Sequence, residues 1–167
     1  MFQTLDQFSD IWNAESASTQ SLMINLTDDS LAQEVLPGHW TLGRIAWHIV
    51  TAIGVIASRT GLSVDIPDQD FPVPASSAFI SASYQQASNA IVQAIKLQWN
   101  NKSLYEVHTI FGQTMSKGDL LTFLVAHQIH HRGQMTILMR QAGLTVPGLY
   151  GPAKEEWANM GMEAPKM

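Results

Sequence analysis

The chain has 167 residues, 46% of them apolar and only 14% charged, which suits one domain with ample core material and excludes a mainly disordered chain. Nine Lys and Arg against fourteen Asp and Glu leave a formal charge of −5, the wrong sign for coating nucleic acid by neutralising phosphates. There is no cysteine, so disulfides, thiolate metal sites and a cysteine nucleophile are excluded, and any metal must rely on His and carboxylates.

The opening MFQTLDQFSD has neither the basic nor the apolar region of a secretory signal, so a cytoplasmic protein is expected. Leu5, Phe8, Trp12, Thr19, Met23 and Leu26 recur at helical spacing and predict a first helix over Leu5 to Leu26. Asp28, Asp29 and Ser30 are suited to cap a short turn, and Pro37-Gly38 breaks the chain before Thr41, a plausible N-cap. The second helix runs from there to about Thr60 with Leu42, Ile45, Ala46, Ile49, Ile53 and Ile56 on one face, and Gly61 ends it. Its most apolar part, Ile45 to Ser58, is shorter than the roughly 20 residues a membrane span needs, so no membrane role is expected.

Residues 62 to 76 carry three prolines and three aspartates and read as a loop. A third helix follows, marked by Ile80, Tyr84, Ala87, Ile91, Ala94 and Ile95 and ending near Trp99. Leu104 to Phe111 reads as a short extended segment closed by Gly112. The fourth helix begins near Ser116 and ends near Gln141, before Gly143 and Pro147. The tail holds Pro147-Gly148 and Gly151-Pro152, then a short helix with Glu155 and Glu156 in its first turns. Four long amphipathic helices make an all-α four-helix bundle with a short C-terminal helix, a single domain over 1–167.

With His127 set at zero and about 100° per residue, Leu120 and Leu138 fall near +20°, His131 near +40°, Leu124 near +60°, Gln134 near −20° and Phe123 near −40°. His127 and His131 therefore lie within the apolar stripe. An unpaired buried imidazole costs on the order of 1–3 kcal/mol, so two of them one turn apart call for a shared partner. Neutral imidazoles at i and i+4 can converge on one metal ion. A pair of satisfied core histidines is the competing explanation. The leading third ligand is His48, in the middle of the second helix beside Ile45, Ile49 and Ala52, on a flank with Arg44 and Thr51. Three histidines leave one coordination position open, as catalytic sites require. His130 is an alternative to His131 or a hydrogen-bond partner to a ligand, and His39 and His108 read as surface or capping residues. Gln134 is suited to orienting a ligand or bound water, and Glu15 and Thr19 to an outer role at the metal. Tyr150, Glu155 and Glu156 are candidates for closing the pocket. Arg132 and Thr136 fall on the opposite face with Thr122, Val125 and Ile129, a strip that suggests a symmetric homodimer contact.

The string His127-Gln128-Ile129-His130-His131-Arg132-Gly133-Gln134, with His48 earlier and Val146-Pro147-Gly148-Leu149-Tyr150-Gly151-Pro152 downstream, resembles the DinB family of YfiT-like, DNA-damage-inducible metal-binding bundles. The resemblance implies a bundle with an up-down-down-up course and three histidine ligands, which match His48, His127 and His131 here. It implies zinc, nickel or iron as the divalent ion, and imidazole does not select sharply among them. Relatives with known chemistry include thiol S-transferases using bacillithiol or mycothiol, which implies a metal-dependent transferase acting on small electrophiles with a thiol cosubstrate. A metal-dependent hydrolase and a non-catalytic metal-binding stress-response dimer are the alternatives.

Overall fold

A computed structural model describes residues 2–110 and 112–166. Its long elements are α1 (Leu5–Met23), α2 (Leu42–Ser58), α3 (Ser77–Gln98) and α4 (Lys117–Gln141). Each begins at a hydroxyl residue that accepts a backbone N–H one turn on: Thr4 from Gln7, Thr41 from Arg44, Ser76 from Phe79 and Ser116 from Asp119. These caps satisfy donors that a helix start otherwise leaves open. The first helix stops at Met23 rather than Leu26, although Leu26 is still buried in the core.

α1 and α2 each pack against both α3 and α4, so the two pairs occupy opposite corners of a four-helix bundle. The core draws on Phe8, Trp12, Ile49, Ile53, Ile80, Ile91, Leu120 and Leu138. Polar groups inside it are bonded across helices: Trp12 Nε1 donates to the Ser88 carbonyl at 3.1 Å, and the Tyr84 hydroxyl donates to Gln128 Oε1 at 2.6 Å.

The segment expected to be extended from Leu104 divides. Asn101–Tyr105 is a 3₁₀ turn, and only β1 (Val107–Ile110) is extended, paired antiparallel with β2 (Gln113–Ser116). Gly112, at φ 75°, serves the tight turn between them, while Phe111 lies outside the described residues. Short 3₁₀ turns at Asp29–Ala32 and Lys154–Met160 occupy the places expected of a capped turn and a terminal helix. Among the described residues no helix is long and apolar enough to cross a membrane.

The face of α4 differs from expectation. Beyond Lys117 and Gly118 at its start, its buried residues, Leu120, Leu138, Leu124, Met135, Gln128, Leu121, Met139, Arg132 and Val125, cover an arc from about +20° to +160° on the same wheel. The buried arc is thus centred near about +90°, and the histidines stand on its rim rather than in its middle. The arc is wide because α4 packs on α1 as well as α2. Arg132, expected outside, is only 1% exposed. Val125 is also buried and Ile129 packs on the core, so the strip proposed for a second copy is largely covered within the chain.

Candidate metal centre

The rim position gives each histidine one side against the core and one toward solvent. His48, His127 and His131 are all partly buried, and one ring nitrogen from each lies within 4.8 Å of the other two. His48 Nε2 is 3.4 Å from His127 Nε2, which is 3.3 Å from His131 Nε2. Ligand atoms set tetrahedrally at about 2.0–2.1 Å from zinc are separated by about 3.3–3.4 Å. Both spacings therefore match a divalent ion with three imidazole ligands.

Protonation agrees with that role. Burial, with His131 and Arg44 adding to it, lowers the His48 pKa to about 4. Burial and the neighbouring histidines do the same for His127, again to about 4. Burial also lowers that of His131, against an opposing hydrogen bond from Gln134. All three rings are neutral near pH 7, as metal ligands must be.

Gln134 sets the tautomer of His131. Its Oε1 is 2.7 Å from His131 Nδ1, and its Nε2 is 3.2 Å from His130 Nε2. A carbonyl oxygen only accepts, so Nδ1 carries the proton and Nε2 keeps a lone pair that could bind a metal ion. His130 accepts from the Gln134 amide, so one side chain bonds to both neighbouring rings.

Two residues at the site were not singled out by sequence reasoning. The Trp40 ring stacks on His131 with centroids 6.2 Å apart and tilts against His48 at 5.2 Å. It is carried by the loop between Gln33 and Leu42, which is closed by a Leu42 N–H to Gln33 carbonyl bond of 2.7 Å and turns at Gly38, φ 83°. Phe123 lies 5.6 Å from His127 on the other flank. The signal for Trp40 was its place immediately before the Thr41 cap, eight residues ahead of His48; nothing in the spacing said that the loop folds back.

Two hollows flank the triad. One, of about 230 Å³, is lined by His48, Thr51, Val55, Gln69, Phe123 and His127 among others. The second, of about 500 Å³, is bordered by Val35, Leu36, Trp40, Gln134 and Ile137 together with His39, Ile45 and Leu138. No Asp or Glu lines either.

Glu15, Thr19 and Tyr150 are elsewhere. Glu15 pairs with Arg132 at 2.6 Å, the Glu15 carbonyl and the Thr19 hydroxyl accept from the same guanidinium, and the Tyr150 hydroxyl bonds to both charged groups at 2.7 Å. They tie α1, α4 and the tail together and make no hydrogen bond to the three histidines. Glu155 pairs with Arg140, and Glu156 accepts the Gly148 and Ala153 N–H groups, so neither closes a pocket at the histidines. His39 is exposed at the larger hollow, and His108 is half-buried in β1.

The DinB family model matches residues 1–167. The chain belongs to the DinB family. A Bacillus subtilis (strain 168) protein, uncharacterized protein YrdA, is 61% identical over the full length of both chains. The crystal structure of a DinB-like protein from Bacillus cereus ATCC 10987 superposes with a TM-score of 0.87 at 51% identity, over 90% of this chain and all of that one. A second DinB-like protein, YjoA of Bacillus subtilis, has a TM-score of 0.67 at 16% identity over 86% of this chain and 96% of its own, and shares the fold. The bundle and its course of four long helices are thus those of a DinB-like protein, and the histidine group sits where its α2 and α4 meet.

Proposed function

We propose that this DinB-family chain binds one divalent metal ion through His48, His127 and His131 and uses it as a transferase joining a low-molecular-weight thiol to a small electrophile. The observation that carries the reading is the convergence of three neutral imidazole nitrogens at ligand spacing on a rim that leaves one side open. A divalent ion there, whether zinc, nickel or iron, supplies Lewis acidity that lowers the pKa of a thiol or water at its open position.

The chain's own residues do the rest. Gln134 holds His131 in the tautomer that presents Nε2. Trp40 and Phe123 keep water off two flanks of the rings. The apolar walls of the smaller hollow, Ala52, Val55, Ile56 and Phe123, favour an uncharged reacting group, and its volume lies below the roughly 300 Å³ at which drug-sized ligand pockets begin. In the transfer a sulfur–carbon bond forms as the electrophile's bond to its leaving group breaks, and the thiol proton passes to solvent. Hydrolysis is the weaker reading because no carboxylate lines either hollow to act as general base.

The test is metal analysis and turnover together. Wild-type protein purified without a polyhistidine tag is expected to carry about one equivalent of metal, the number a single three-histidine site with one open position can hold. His48→Ala, His127→Ala and His131→Ala should each lose it while remaining folded. Loaded wild type should then convert small electrophiles with bacillithiol, mycothiol or glutathione; absence of any metal-dependent conversion would remove the transferase reading and leave a metal-binding bundle.

A further inference from the structure

We propose that Arg44 is the anion-binding residue of this site, holding a carboxylate or similar anionic group of the small ligand whose other end takes the metal's open position. The proposal rests on the metal-centred reading above and assigns the class of ligand: a small molecule with a coordinating head and an anionic tail.

Arg44 is one helical turn before His48, so the two side chains rise from the same face of α2. At about 100° per residue, Arg44, His48, Thr51 and Val55 fall within a stripe of about 60°. The last three line the smaller hollow, and Arg44, one turn before them on the same stripe, lies against Trp40.

Among the described residues the guanidinium has no anionic partner. The ion pairs among the described residues are Lys117–Glu106, Arg132–Glu15 and Arg140–Glu155, and Arg44 is in none of them. Its contact is with the Trp40 ring, whose centroid is 5.5 Å from Cζ. A ring face takes up the cation without accepting its N–H groups in hydrogen bonds, so the fork that suits a carboxylate stays available. Trp40 also contacts His48 and His131, so the guanidinium and two of the three histidine rings share one indole. Arg44 also lies in the first turn of α2, where the backbone N–H groups add positive potential. No Asp or Glu lines either hollow, so no acid there competes for the guanidinium.

The experiment uses cobalt(II)-loaded protein and reads ligand binding from the visible spectrum of the ion. Two pairs of probes differ only in the anionic tail: 3-mercaptopropionate against 2-mercaptoethanol, and succinic monohydroxamate against acetohydroxamate. In wild type the anionic member of each pair should bind about tenfold more tightly, the scale of one charge-assisted hydrogen-bonded pair. Arg44→Gln should abolish that advantage without changing the neutral members or the cobalt content, and Arg44→Lys should keep part of it. An anionic member no tighter than its neutral partner in wild type, or an advantage that survives in Arg44→Gln, overturns the proposal. If the hydroxamates follow the pattern while the thiols do not bind, Arg44 keeps its role and the thiol-transfer reading fails. Binding by neither pair overturns both.

Discussion

Gln134 and Arg132 are two residues apart on α4 and serve unrelated ends. Gln134 is exposed and bonds to His131 Nδ1 and His130 Nε2, so its loss should leave the fold intact and loosen one ligand. Gln134→Ala is expected to weaken zinc affinity by about 10–100-fold, the usual cost of removing an outer partner of a ligating histidine. Competition with a chelator measures it, with the far-ultraviolet circular dichroism unchanged. Arg132 is buried with Glu15, Thr19 and Tyr150 around it. Arg132→Ala should therefore cost about 3 kcal/mol in urea unfolding, because it strands the Glu15 carboxylate with only a tyrosine for a partner. The double variant Arg132→Met with Glu15→Gln should recover much of that loss, since both charges then disappear together. Metal content should be unchanged in either, which separates this cluster from the histidine site.

At the scale of elements, the site depends on how α2 begins. Thr41 caps the helix, bridges to Glu34 and ends the loop that lays Trp40 over the rings. Thr41→Ala is expected to lower stability by about 1 kcal/mol, as cap losses do. It should also free Trp40, seen as a red shift and weakened quenching of its fluorescence against a Trp40→Phe control. α4 shows how far a helical pattern carries. Its ends were readable from Ser116 and Gly143, and the wheel correctly placed His127, His131 and Gln134 together. Its inner face was not, because a wheel supplies angles between residues but no origin, and the origin is set by the neighbours. Packing on both α1 and α2 widens and shifts the buried arc, drawing in Arg132 and Val125 and leaving the histidines at the edge.

For the whole molecule, the three neutral histidines link stability to pH. An imidazole in the unfolded chain takes its proton near 6.5, whereas His48 and His127 in the fold do so only near 4. Between those values the unfolded state binds more protons, so the metal-free protein should be level in stability above pH 6.5 and lose it progressively as pH falls toward 4. Urea midpoints at pH 7.5, 6.0 and 5.0 test this, and the slope should flatten in His48→Gln. At pH 7.5 free zinc at a hundred times its dissociation constant should raise stability by about 2.7 kcal/mol through mass action. Much of this protein was decided by sequence alone: four capped amphipathic helices, a core free of cysteine, and two histidines one turn apart on the last of them. Those features are local, since caps, periodicity and i, i+4 neighbours depend only on residues a few positions apart. Only the tertiary structure decided that Trp40 folds back over the rings, that Arg132 is sealed against Glu15, and that Arg44 pairs with no acid among the described residues. Each of these depends on which surfaces meet across the bundle, and the lowest free energy there is chosen by packing and charge burial between segments far apart in the chain.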